Sequence, residues 1–598
     1  MRRWAGRLAL CLAVPGLLTT APPASAAEPV NLRLIGFNDF HGNLESGGLS
    51  LLLADPAAPG KTLRVPVGGA AALAGMITRL RSSADNSLVT AAGDLVGAAP
   101  LVSTLFRHES TIEVMNRIGL DVNAAGNHEF DAGLTELQRL YRGGCAAPSA
   151  QAAISSCALQ NPYRGAKFPL LTANVLTDQG KPVFAPWVIR RFGGIPVGIV
   201  GVVTRTTPTL VVPSGVAGLS FIDEADAINR SVAELKQRGV KAIIAVLHEG
   251  AEIGPASNRA DWNDTSCPGG AGPIFDIAKR MSREVDVIFS GHTHQGYRCI
   301  VDGRVIIQAV SYGRGLSVVD VVLDPRTRDI DPTKTRSINL PVLNEHTDVD
   351  PTAQLRERLA AGTREPYAAL LRATRPDPAI DTMVKHIAQV VAPKAQQPVG
   401  RIGGRFTRRG GPGGPSDSAA GRLVADAQLA ATSATASGGA QIAFMNPGGI
   451  RTDLECAVPP CTVSFGAAFS MQPFGNSLSV MDLSGAQIKA LLEQQQRGGM
   501  TEPSFLQPSA GFSYRWLSKS PPGSRVADMS LNGQPVVATQ TYRVTVNSFL
   551  AEGGDGYSTL RDGTARLGGG LDLDALVDYL KAEPPRAPQA EPRIVWVP

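Results

Sequence analysis

The sequence lacks long hydrophobic runs once its N-terminal segment is passed. No later stretch reaches the 18 or more apolar residues that are typical of a membrane span. It also lacks an excess of charge of one sign, because 57 lysines and arginines face 52 aspartates and glutamates, for a formal charge of +5. Proteins that bind a nucleic-acid backbone usually carry a concentrated basic face. We therefore expect neither a membrane span nor a nucleic-acid partner.

The N-terminus has the pattern of a secretory signal. Three arginines precede the apolar run Leu8–Leu18, and Ala24-Ser25-Ala26 supplies the small residues of a cleavage site. We place the cut after Ala26, so that residues 1–26 form the signal peptide and the mature charge is near +2. The expected product is secreted or extracytoplasmic and has no membrane anchor.

Cysteine is also scarce. One of the seven cysteines lies in the signal, and an even number remains, which favours disulfides in an exported chain. Proximity in sequence suggests three pairs, Cys145–Cys157, Cys267–Cys299 and Cys456–Cys461, although other pairings stay open. None of these cysteines has the spacing of a zinc–thiolate site. We expect disulfides that hold loops together and take no part in catalysis.

A chain of 598 residues is too long for one ordinary core, so at least two domains are expected. Up to about residue 324, short β-rich runs alternate with helical patterns, which indicates a layered α/β domain. The predicted strands are Leu32–Phe37, Leu88–Ala92, Val122–Ala124, Leu170–Ala173, Pro196–Val203, Ala242–Leu247, Val285–Phe289 and Val305–Ala309. The predicted helices between them are Ala70–Arg81, Ser110–Ile118, Ala225–Gln237 and Phe275–Ser282.

The composition changes after this domain. Pro351–Leu371 is typical of one charged helix, and the prolines that follow it indicate a connecting segment. A glycine-rich stretch then opens a second α/β region with a helix at Ala419–Ala431 and a strand at Gln441–Met445, and Pro584–Pro592 is expected to be loosely ordered. The predicted divisions are residues 27–345, a linker with a helix at 346–398, a smaller domain at 399–582 and a proline-rich tail at 583–598.

Polar clusters follow the predicted strands of the first domain in a fixed order. Their members are Asp39-Phe40-His41, Gly93-Asp94, Gly126-Asn127-His128-Glu129, Asn174, His248-Glu249-Gly250 and Gly291-His292-Thr293-His294. In layered α/β folds, ligands gather at the carboxyl ends of strands. Together the clusters supply imidazole, amide and carboxylate ligands for two divalent metals that share one carboxylate. Such a pair clamps the attacking and leaving oxygens of a phosphoryl transfer and activates water.

The spacing suggests individual roles in this centre. Asp94 is the expected bridging carboxylate, because Gly93 lets the backbone turn sharply before it. The predicted metal ligands are Asp39, His41, Asp94, Asn127, His248, His292 and His294. Mixed nitrogen and oxygen ligation without thiolate suits Zn, Mn, Fe or Co and does not separate them.

His128 directly follows a ligand, so we expect its side chain to point over the metals toward the substrate. Asp131, three residues later, would hold this imidazole cationic, so that it stabilises phosphoryl oxygens or protonates the leaving group. The predicted catalytic pair is therefore His128 with Asp131.

Other polar residues have plainer interpretations. Asn174 is as consistent with a turn cap as with a ligand, and Glu129 and Glu249 are expected to support the ligands or to be surface charges. His108, His346 and His386 stand in ordinary polar or helical contexts.

These clusters resemble those of the calcineurin-like metallophosphoesterases, and nearly the whole mature chain resembles the secreted 5′-nucleotidase family. The resemblance rests on the motifs Asn38-Asp39-Phe40-His41-Gly42, Gly93-Asp94, Gly126-Asn127-His128-Glu129-Phe130-Asp131 and Gly291-His292-Thr293-His294. The resemblance implies a metallophosphoesterase β-sandwich flanked by helices, a linker helix, and a smaller C-terminal α/β nucleotide-binding domain that rotates.

Three further motifs resemble the nucleotide pocket of that family: Asn446-Pro447-Gly448-Gly449-Ile450-Arg451, Gln472-Pro473-Phe474-Gly475-Asn476, and Phe549 with Gly553-Gly554-Asp555-Gly556-Tyr557. The resemblance implies that Asn446 touches the base, Arg451 the ribose or phosphate, and Asp555 the ribose hydroxyls. Phe474 and Phe549 would sandwich the base, and aromatic faces stack on any base.

One feature departs from the family. The family often places an arginine a few residues before the first helix of the second domain, and the matching stretch Pro415–Ala420 has none. Arg405, Arg408 or Arg409 in the preceding loop would be the substitutes, and a solvated basic loop is the equally open alternative. The expected activity is hydrolysis of nucleoside 5′-monophosphates to nucleoside and phosphate. A 2′,3′-cyclic-nucleotide phosphodiesterase with 3′-nucleotidase activity, a nucleotide-sugar hydrolase, and a non-catalytic nucleotide- or metal-binding protein are the alternatives.

Overall fold

The computed structural model describes Met1 and residues 28–146, 156–211, 213–253, 261–344, 352–409, 416–496, 502–581 and 583–598. The predicted cleavage after Ala26 and His346 lie outside these residues. Within the described part of the chain, no helix combines the length and apolar character that a membrane crossing requires.

The described residues between Val30 and Pro341 form a series of strands with helices between them. The strands are β1 Val30–Phe37, β2 Ser50–Ala54, β3 Thr62–Pro66, β4 Ser87–Ala92, β5 Val122–Ala124, β6 Leu170–Leu171, β7 Val175–Leu176, β8 Trp187–Phe192, β9 Ile195–Val203, β10 Ser220–Phe221, β11 Ala242–His248, β12 Val287–Phe289, β13 Gly296–Val301, β14 Arg304–Ala309, β15 Gly315–Asp324, β16 Asp329–Ile330 and β17 Arg336–Pro341. The helices are α1 Ala70–Ser82, α2 Leu101–Thr104, α3 Glu109–Ile118, α4 Gly133–Arg142, α5 Thr207–Leu210, α6 Glu224–Gln237 and α7 Pro273–Arg280.

Two sheets pack face to face in this region. One has the order β16-β15-β1-β4-β5-β6 with β17 beside β15, and the other has the order β13-β14-β12-β11-β9-β8. A buried aliphatic core that includes Leu34, Ile199 and Val246 lies between the sheets. Separate cores lie under α1 and α3 on one outer face and under α6 and α7 on the other. The predicted β-sandwich flanked by helices is confirmed.

The strands that precede the polar clusters run in one direction within each sheet. β1, β4, β5 and β6 pair in parallel, as do β9, β11, β12 and β14. Their carboxyl ends therefore lie along the same edge of the sandwich, which is where ligands gather in sheets of this kind.

The linker differs from the prediction. One helix was expected over Pro351–Leu371, but two form there, α8 Thr352–Ala361 and α9 Tyr367–Ala373, because Gly362 and Pro366 interrupt the helical run. A further helix, α10 Pro378–Ala395, occupies the segment that its prolines marked as a connection. Pro378 stands at the start of α10, where its missing N–H costs nothing, and Asp377 caps this end by accepting from Ala379 N and Ile380 N.

The second region contains β18 Pro398–Ile402, β19 Ile442–Met445, β20 Cys461–Ser464, β21 Ser477–Ser484, β22 Gln507–Pro508, β23 Phe512–Leu517, β24 Val526–Leu531, β25 Gln534–Pro535, β26 Thr541–Asn547, β27 Thr564–Leu571 and β28 Ile594–Val597. Its helices are α11 Ala419–Thr432, α12 Phe465–Met471, α13 Gly485–Glu493, α14 Ser548–Ala551 and α15 Asp572–Leu580. The main sheet has the order β22-β19-β26-β21-β27.

The tail ends in a strand that follows the proline-rich segment Pro584–Pro592. β28 pairs in parallel with β23, and Ile594 is fully buried. Arg593 N and Ile594 N both donate to Asp417, which fixes the tail against the segment before α11. The three suggested disulfides are all present, with Cα–Cα distances of 5.6, 5.7 and 5.5 Å for Cys145–Cys157, Cys267–Cys299 and Cys456–Cys461.

Candidate metal centre and adjoining pocket

The parallel strands bring the predicted metal ligands to one edge of the sandwich. Asp39 and His41 follow β1, Asp94 follows β4, Asn127 follows β5, His248 ends β11, and His292 and His294 follow β12. Their side chains come from both sheets, so the centre lies where the two sheets meet.

One group of ligand atoms belongs to Asp39, His41 and His294, and all lie within 4.8 Å of one another. The Nε2 atoms of His41 and His294 are 3.2 Å apart, and His294 Nε2 is 3.3 Å from Asp39 Oδ1. Asp39 and His41 are fully buried.

A second group, Asp39, Asp94 and His248, meets the same distance limit. His248 Nε2 lies 3.1 Å from Asp94 Oδ2 and 3.1 Å from Asn127 Oδ1. Asp94 Oδ2 is also 3.6 Å from His41 Nε2, so this carboxylate lies between the two groups. The ring of His292 lies 5.1 Å from that of His248, beside the second group.

Hydrogen bonds behind the rings indicate that these groups fit cations. His41 Nδ1 contacts Gly97 O at 2.9 Å and His248 Nδ1 contacts Ala92 O at 2.8 Å. Because a carbonyl only accepts, Nδ1 carries the proton and Nε2 turns its lone pair toward the centre in the neutral ring. Lone pairs of imidazoles and carboxylates that face one another at about 3 Å repel unless a cation lies between them. The donors are imidazole, carboxylate and amide, which suits the divalent metals expected from the sequence.

The electrostatics of the centre point the same way. Although burial opposes its ionisation, the imidazoles of His248 and His128 hold the pKa of Asp94 well below the usual range. Burial also opposes the charged form of His248, but the neighbouring carboxylate of Asp94 raises the pKa of His248 to about 10. The buried carboxylates therefore favour positive charge in their midst, supplied by protons or by metal ions.

His128 points away from the ligands into an adjoining cavity. Its Nδ1 lies 2.8 Å from Asp131 Oδ2 and 3.0 Å from Asp131 Oδ1, as the spacing of three residues predicts. Burial lowers the pKa of His128, but the carboxylates of Asp131 and Asp94 outweigh it and raise this pKa above the ordinary value. Nε2, the other ring nitrogen, is thereby left for a substrate.

Glu129 organises the ligand loops, a role that the sequence suggested only in general terms. It is buried and accepts from Asp94 N at 2.9 Å, from Leu95 N at 2.8 Å and from Gly126 N at 2.5 Å. Burial and the negative charge of Asp94 raise the pKa of Glu129 to about 7. One carboxylate thus ties the loop after β4 to the loop after β5.

A cavity of about 370 Å³ extends from the metal centre to the second domain. Among its lining residues are Asp94, Asn127, His128, Asp131, His292 and His294 from the first domain and Asn446, Arg451, Phe474, Phe549 and Asp555 from the second. The structure therefore brings together the predicted catalytic pair, four predicted metal ligands and all five predicted substrate-binding residues. Asp39, His41 and His248 lie buried behind this surface.

The nucleotide-pocket residues contact one another and the first domain. Asn446 Nδ2 donates to Asp555 Oδ2 at 2.8 Å, while Asn547 Nδ2 donates to Asn446 Oδ1 at 3.0 Å. The ring of Phe474 stacks on that of His128, with centroids 5.7 Å apart and planes inclined by 25°. The Arg451 guanidinium lies 5.8 Å from the centre of the Phe474 ring.

Some lining residues were not singled out from the sequence. Asn476 ends a quoted motif but was given no role, and Leu210 and Val211 are apolar residues without a chemical signal. Tyr312 lies beside the first group, with its ring 5.7 Å from His41 and 5.3 Å from His294. Its position after β14, the strand that pairs with β12, is the signal that would have found it.

Other candidates lie apart from the cavity. Asn174 bonds to Val203 through both ends of its amide, which is the turn-capping alternative. Arg405 pairs with Asp453 and Glu455, so its guanidinium is already engaged by carboxylates. Arg451 is the arginine that lines the cavity within the described part of the chain.

Comparison with known proteins agrees with this arrangement. The family model described as calcineurin-like phosphoesterase matches residues 32–296, and the model described as 5′-nucleotidase, C-terminal domain, matches residues 397–562. A probable 5′-nucleotidase of Treponema pallidum is 28% identical, with 93% of this chain and 93% of the relative covered. The solved 5′-nucleotidase precursor of Thermus thermophilus has a TM-score of 0.69 at 25% identity and covers 95% of this chain and 99% of its own.

A longer relative also matches. The protein named Endonuclease YhcR of Bacillus subtilis is 30% identical over 93% of this chain, which spans only 40% of that relative's length. Two family models in tandem, a relative matched over 93% of its length and a shared fold all point to the same family. The chain belongs to the 5′-nucleotidase family of metal-dependent hydrolases, built from a calcineurin-like phosphoesterase domain and a 5′-nucleotidase C-terminal domain.

Proposed function

We propose that this protein is an exported two-metal phosphohydrolase that cleaves nucleoside 5′-monophosphates to nucleoside and phosphate. The observation that carries the proposal is the single cavity shared by the metal centre and the second domain. A nucleotide needs a site for its phosphate and a site for its nucleoside. This cavity is lined by carboxylate and imidazole side chains at one end and by aromatic and amide side chains at the other.

The chain's own residues would orient the substrate at both ends. Phe549 and Phe474 offer aromatic faces to the base, and base stacking of this kind contributes roughly 1–3 kcal/mol per base. Asp555 and Asn446 would bind the ribose and the base edge. Arg451 would direct its guanidinium at the phosphate, to which it is complementary in charge and geometry.

His128 would act on the reacting phosphate. With Asp131 on Nδ1, the imidazole would hold a proton at Nε2 for the phosphoryl oxygens or the departing ribose oxygen. The proposed metal ligands are Asp39, His41, Asp94, Asn127, His248, His292 and His294. Two divalent ions bound there would supply Lewis acidity and an activated water.

The experiment is phosphate release from a nucleotide panel by the metal-loaded protein, beside the His128→Ala variant. Rapid hydrolysis of AMP that collapses in the variant supports the proposal. Activity confined to 2′,3′-cyclic nucleotides or UDP-glucose would overturn the substrate assignment. The absence of hydrolysis with Zn, Mn, Fe and Co would overturn the enzymatic proposal.

A second candidate is cleavage of phosphodiesters in nucleic acid, which is favoured by the Bacillus subtilis relative that is named an endonuclease. Against it stands the low net charge, since binding to a phosphate backbone requires clustered lysines and arginines. Single-stranded DNA in the same panel separates the two. Release of nucleotides from DNA at a rate comparable to AMP hydrolysis would favour the endonuclease.

A further inference from the structure

A second cavity, of about 210 Å³, lies between α11, α15 and the tail. It shares no described lining residue with the nucleotide cavity. Three arginines, Arg422, Arg586 and Arg593, line it together with the ring of Tyr579 and the carboxylate of Asp426. Three guanidinium groups in so small a cavity repel one another unless negative charge offsets them.

Two of the arginines have carboxylate partners. Arg593 donates to both oxygens of Asp426, at 2.6 and 2.8 Å, and Arg422 donates to Asp417 at 2.6 Å. These pairs are largely buried, and in each the charges of the two partners cancel. The charge of the third arginine is not cancelled, so the net charge around the cavity is +1.

That third arginine is Arg586. Its guanidinium carbon lies 4.1 Å from the centre of the Tyr579 ring, which holds the group by a cation–π contact. Among the described residues, the guanidinium has no hydrogen-bond acceptor and no carboxylate partner, and its Nε is buried. Arg422, only 7% exposed, is already engaged, because its two Nη atoms donate to Asp417 Oδ2 and to Gln589 O.

Among the described residues, an arginine that lines a cavity between packed elements without any hydrogen-bond partner is unusual, because nearly all buried polar groups in native proteins have one. Guanidinium groups match the oxygens of phosphate and carboxylate in charge and geometry. We propose that this cavity binds a small inorganic oxyanion of the phosphate or sulfate type through the guanidinium of Arg586. At about 210 Å³ it is little more than half the size of the nucleotide cavity, which favours a free anion over a nucleotide.

The bound anion would join three parts of the second domain. Arg422 belongs to α11, Tyr579 belongs to α15, and Arg586 belongs to the tail, whose backbone bonds to Gly403 through Arg586 O. Neutralising the net charge among these elements stabilises their packing. A ligand that binds the folded state alone raises the free energy of unfolding in proportion to the logarithm of its concentration.

The test is equilibrium dialysis of radiolabelled inorganic phosphate against the full, metal-loaded chain and its Arg586→Gln variant. Phosphate also binds at the metal centre of such an enzyme, so the measured quantity is the difference between the two proteins. We expect Arg586→Gln to bind one phosphate fewer per chain. Equal numbers in the two proteins would overturn the proposal.

Arg515→Gln is the matched control, because Arg515 is an arginine of the same domain that pairs with Asp528 on the surface. It should bind as many phosphates as the unmodified chain. Nucleotide hydrolysis or, if the chain proves inactive, circular dichroism checks that Arg586→Gln is folded. Absence of hydrolysis by the unmodified chain, together with one phosphate fewer on Arg586→Gln, would contradict the proposed function and leave the anion site standing.

Two further measurements keep the proposal testable if Arg586→Gln is unstable. Arg586→Lys keeps the charge but loses the forked donors, and we expect its affinity for this phosphate to fall at least tenfold. Sulfate should displace the phosphate that distinguishes the two proteins, and should raise the unfolding midpoint of the unmodified chain more than that of either Arg586 variant. Equal sulfate shifts in all three proteins would contradict the assignment.

Discussion

At the scale of single residues, the metal centre is built on an unusual backbone. Asp39, His41, Asp94, His292 and His294 all have positive φ, between 46° and 73°. Side chains other than glycine rarely adopt this conformation, and such strain concentrates at functional sites. The turns reverse the chain directly after each strand, which returns the side chains toward the edge between the sheets. The strained backbone at these positions supports the proposal that they hold metal ions.

The catalytic assignment of His128 leads to the first prediction. Replacing His128 by alanine should lower kcat for AMP about 10²–10⁴-fold, the range typical of a lost acid–base group. Asp131→Asn should lower it less, because the imidazole stays but loses the carboxylate that holds its charge. Initial rates of phosphate release give both values. His386→Ala, on the exposed face of α10, should leave the rate unchanged, and an equal loss there would contradict the assignment.

Glu129 gives the second prediction. Glu129→Gln places an amide NH₂ among three backbone N–H donors, so the loops that carry Asp94 and Asn127 should lose their alignment. We expect about 10–100-fold weaker metal binding, as is usual when a partner behind the ligands is lost. Calorimetric metal titration of the chelator-treated protein measures it. Glu113→Gln changes a surface pair with Arg117, and metal affinity should not respond to it.

At the scale of elements, the residues at helix ends determine where helices form in the linker. Prolines in the linker region indicated a connecting segment, yet Pro378 begins the 18-residue helix α10. Proline is tolerated there because the first turn of a helix leaves its N–H groups without intrahelical acceptors. α10 packs on α1 and α2 of the first domain and on α12 of the second, so this helix joins the two domains.

The cap of α10 gives the third prediction. Asp377→Ala removes the acceptor for two backbone N–H groups, and loss of such a cap costs about 0.5–2 kcal/mol. The unfolding midpoint in urea should fall accordingly. Asp381→Ala, one turn later, disrupts a surface pair with Lys385 for which roughly 0.3–0.5 kcal/mol is expected. A fall as large as that of the cap variant would contradict the capping role.

The start of α15 gives the fourth prediction, a pH dependence. Burial raises the pKa of Asp572 to about 7, against about 3.9 for an unfolded aspartate. A proton bound more tightly by the folded state stabilises it at low pH, and this stability is lost as pH rises from about 4 to about 7. Asp572→Asn should therefore gain stability relative to the unmodified chain over that window, measured by unfolding midpoints. Asp578→Asn, at an exposed position near the end of the same helix, should show no such trend.

At the scale of the whole molecule, the proposed substrate pocket lies where the two domains meet. Phe474 of the second domain stacks on His128 of the first, and Leu210 and Val211 of the first domain complete the wall beside Asp555. The rings that would recognise the nucleoside thus lie against the residue that would act on the phosphate. Rotation of one domain would move the rings proposed to bind the nucleoside away from the residue proposed to act on the phosphate.

This division gives the fifth prediction. Removing metals with a chelator should abolish hydrolysis and weaken AMP binding at least tenfold, while adenosine binding changes little, because its proposed contacts lie in the second domain. Calorimetry with both ligands measures the difference. Asp555→Asn should weaken the binding of adenosine but leave the affinity for metal ions unchanged. Equal weakening of both ligands by the chelator would contradict the division.

The sequence by itself determined the chemistry of the centre and the strands that carry it. Each polar cluster directly follows an apolar run, and parallel strands place such positions at one edge of a sheet. The local pattern was therefore sufficient to predict that Asp39 and His248 lie at this edge. The disulfide pairs were also within reach, because each joins cysteines that are neighbours along the chain. Glu129 was harder, since its acceptor role depends on a loop 35 residues away.

Only the tertiary structure decided what the chain brings together from a distance. The stack of Phe474 on His128, the apolar wall of Leu210 and Val211, and the arginines of the second cavity join residues that are tens to hundreds of positions apart. No periodicity or spacing records such pairs, because each depends on the packing of several elements at once. The tail followed the same rule, since β28 is ordered by its pairing with β23, and a lone strand has no partners for its backbone.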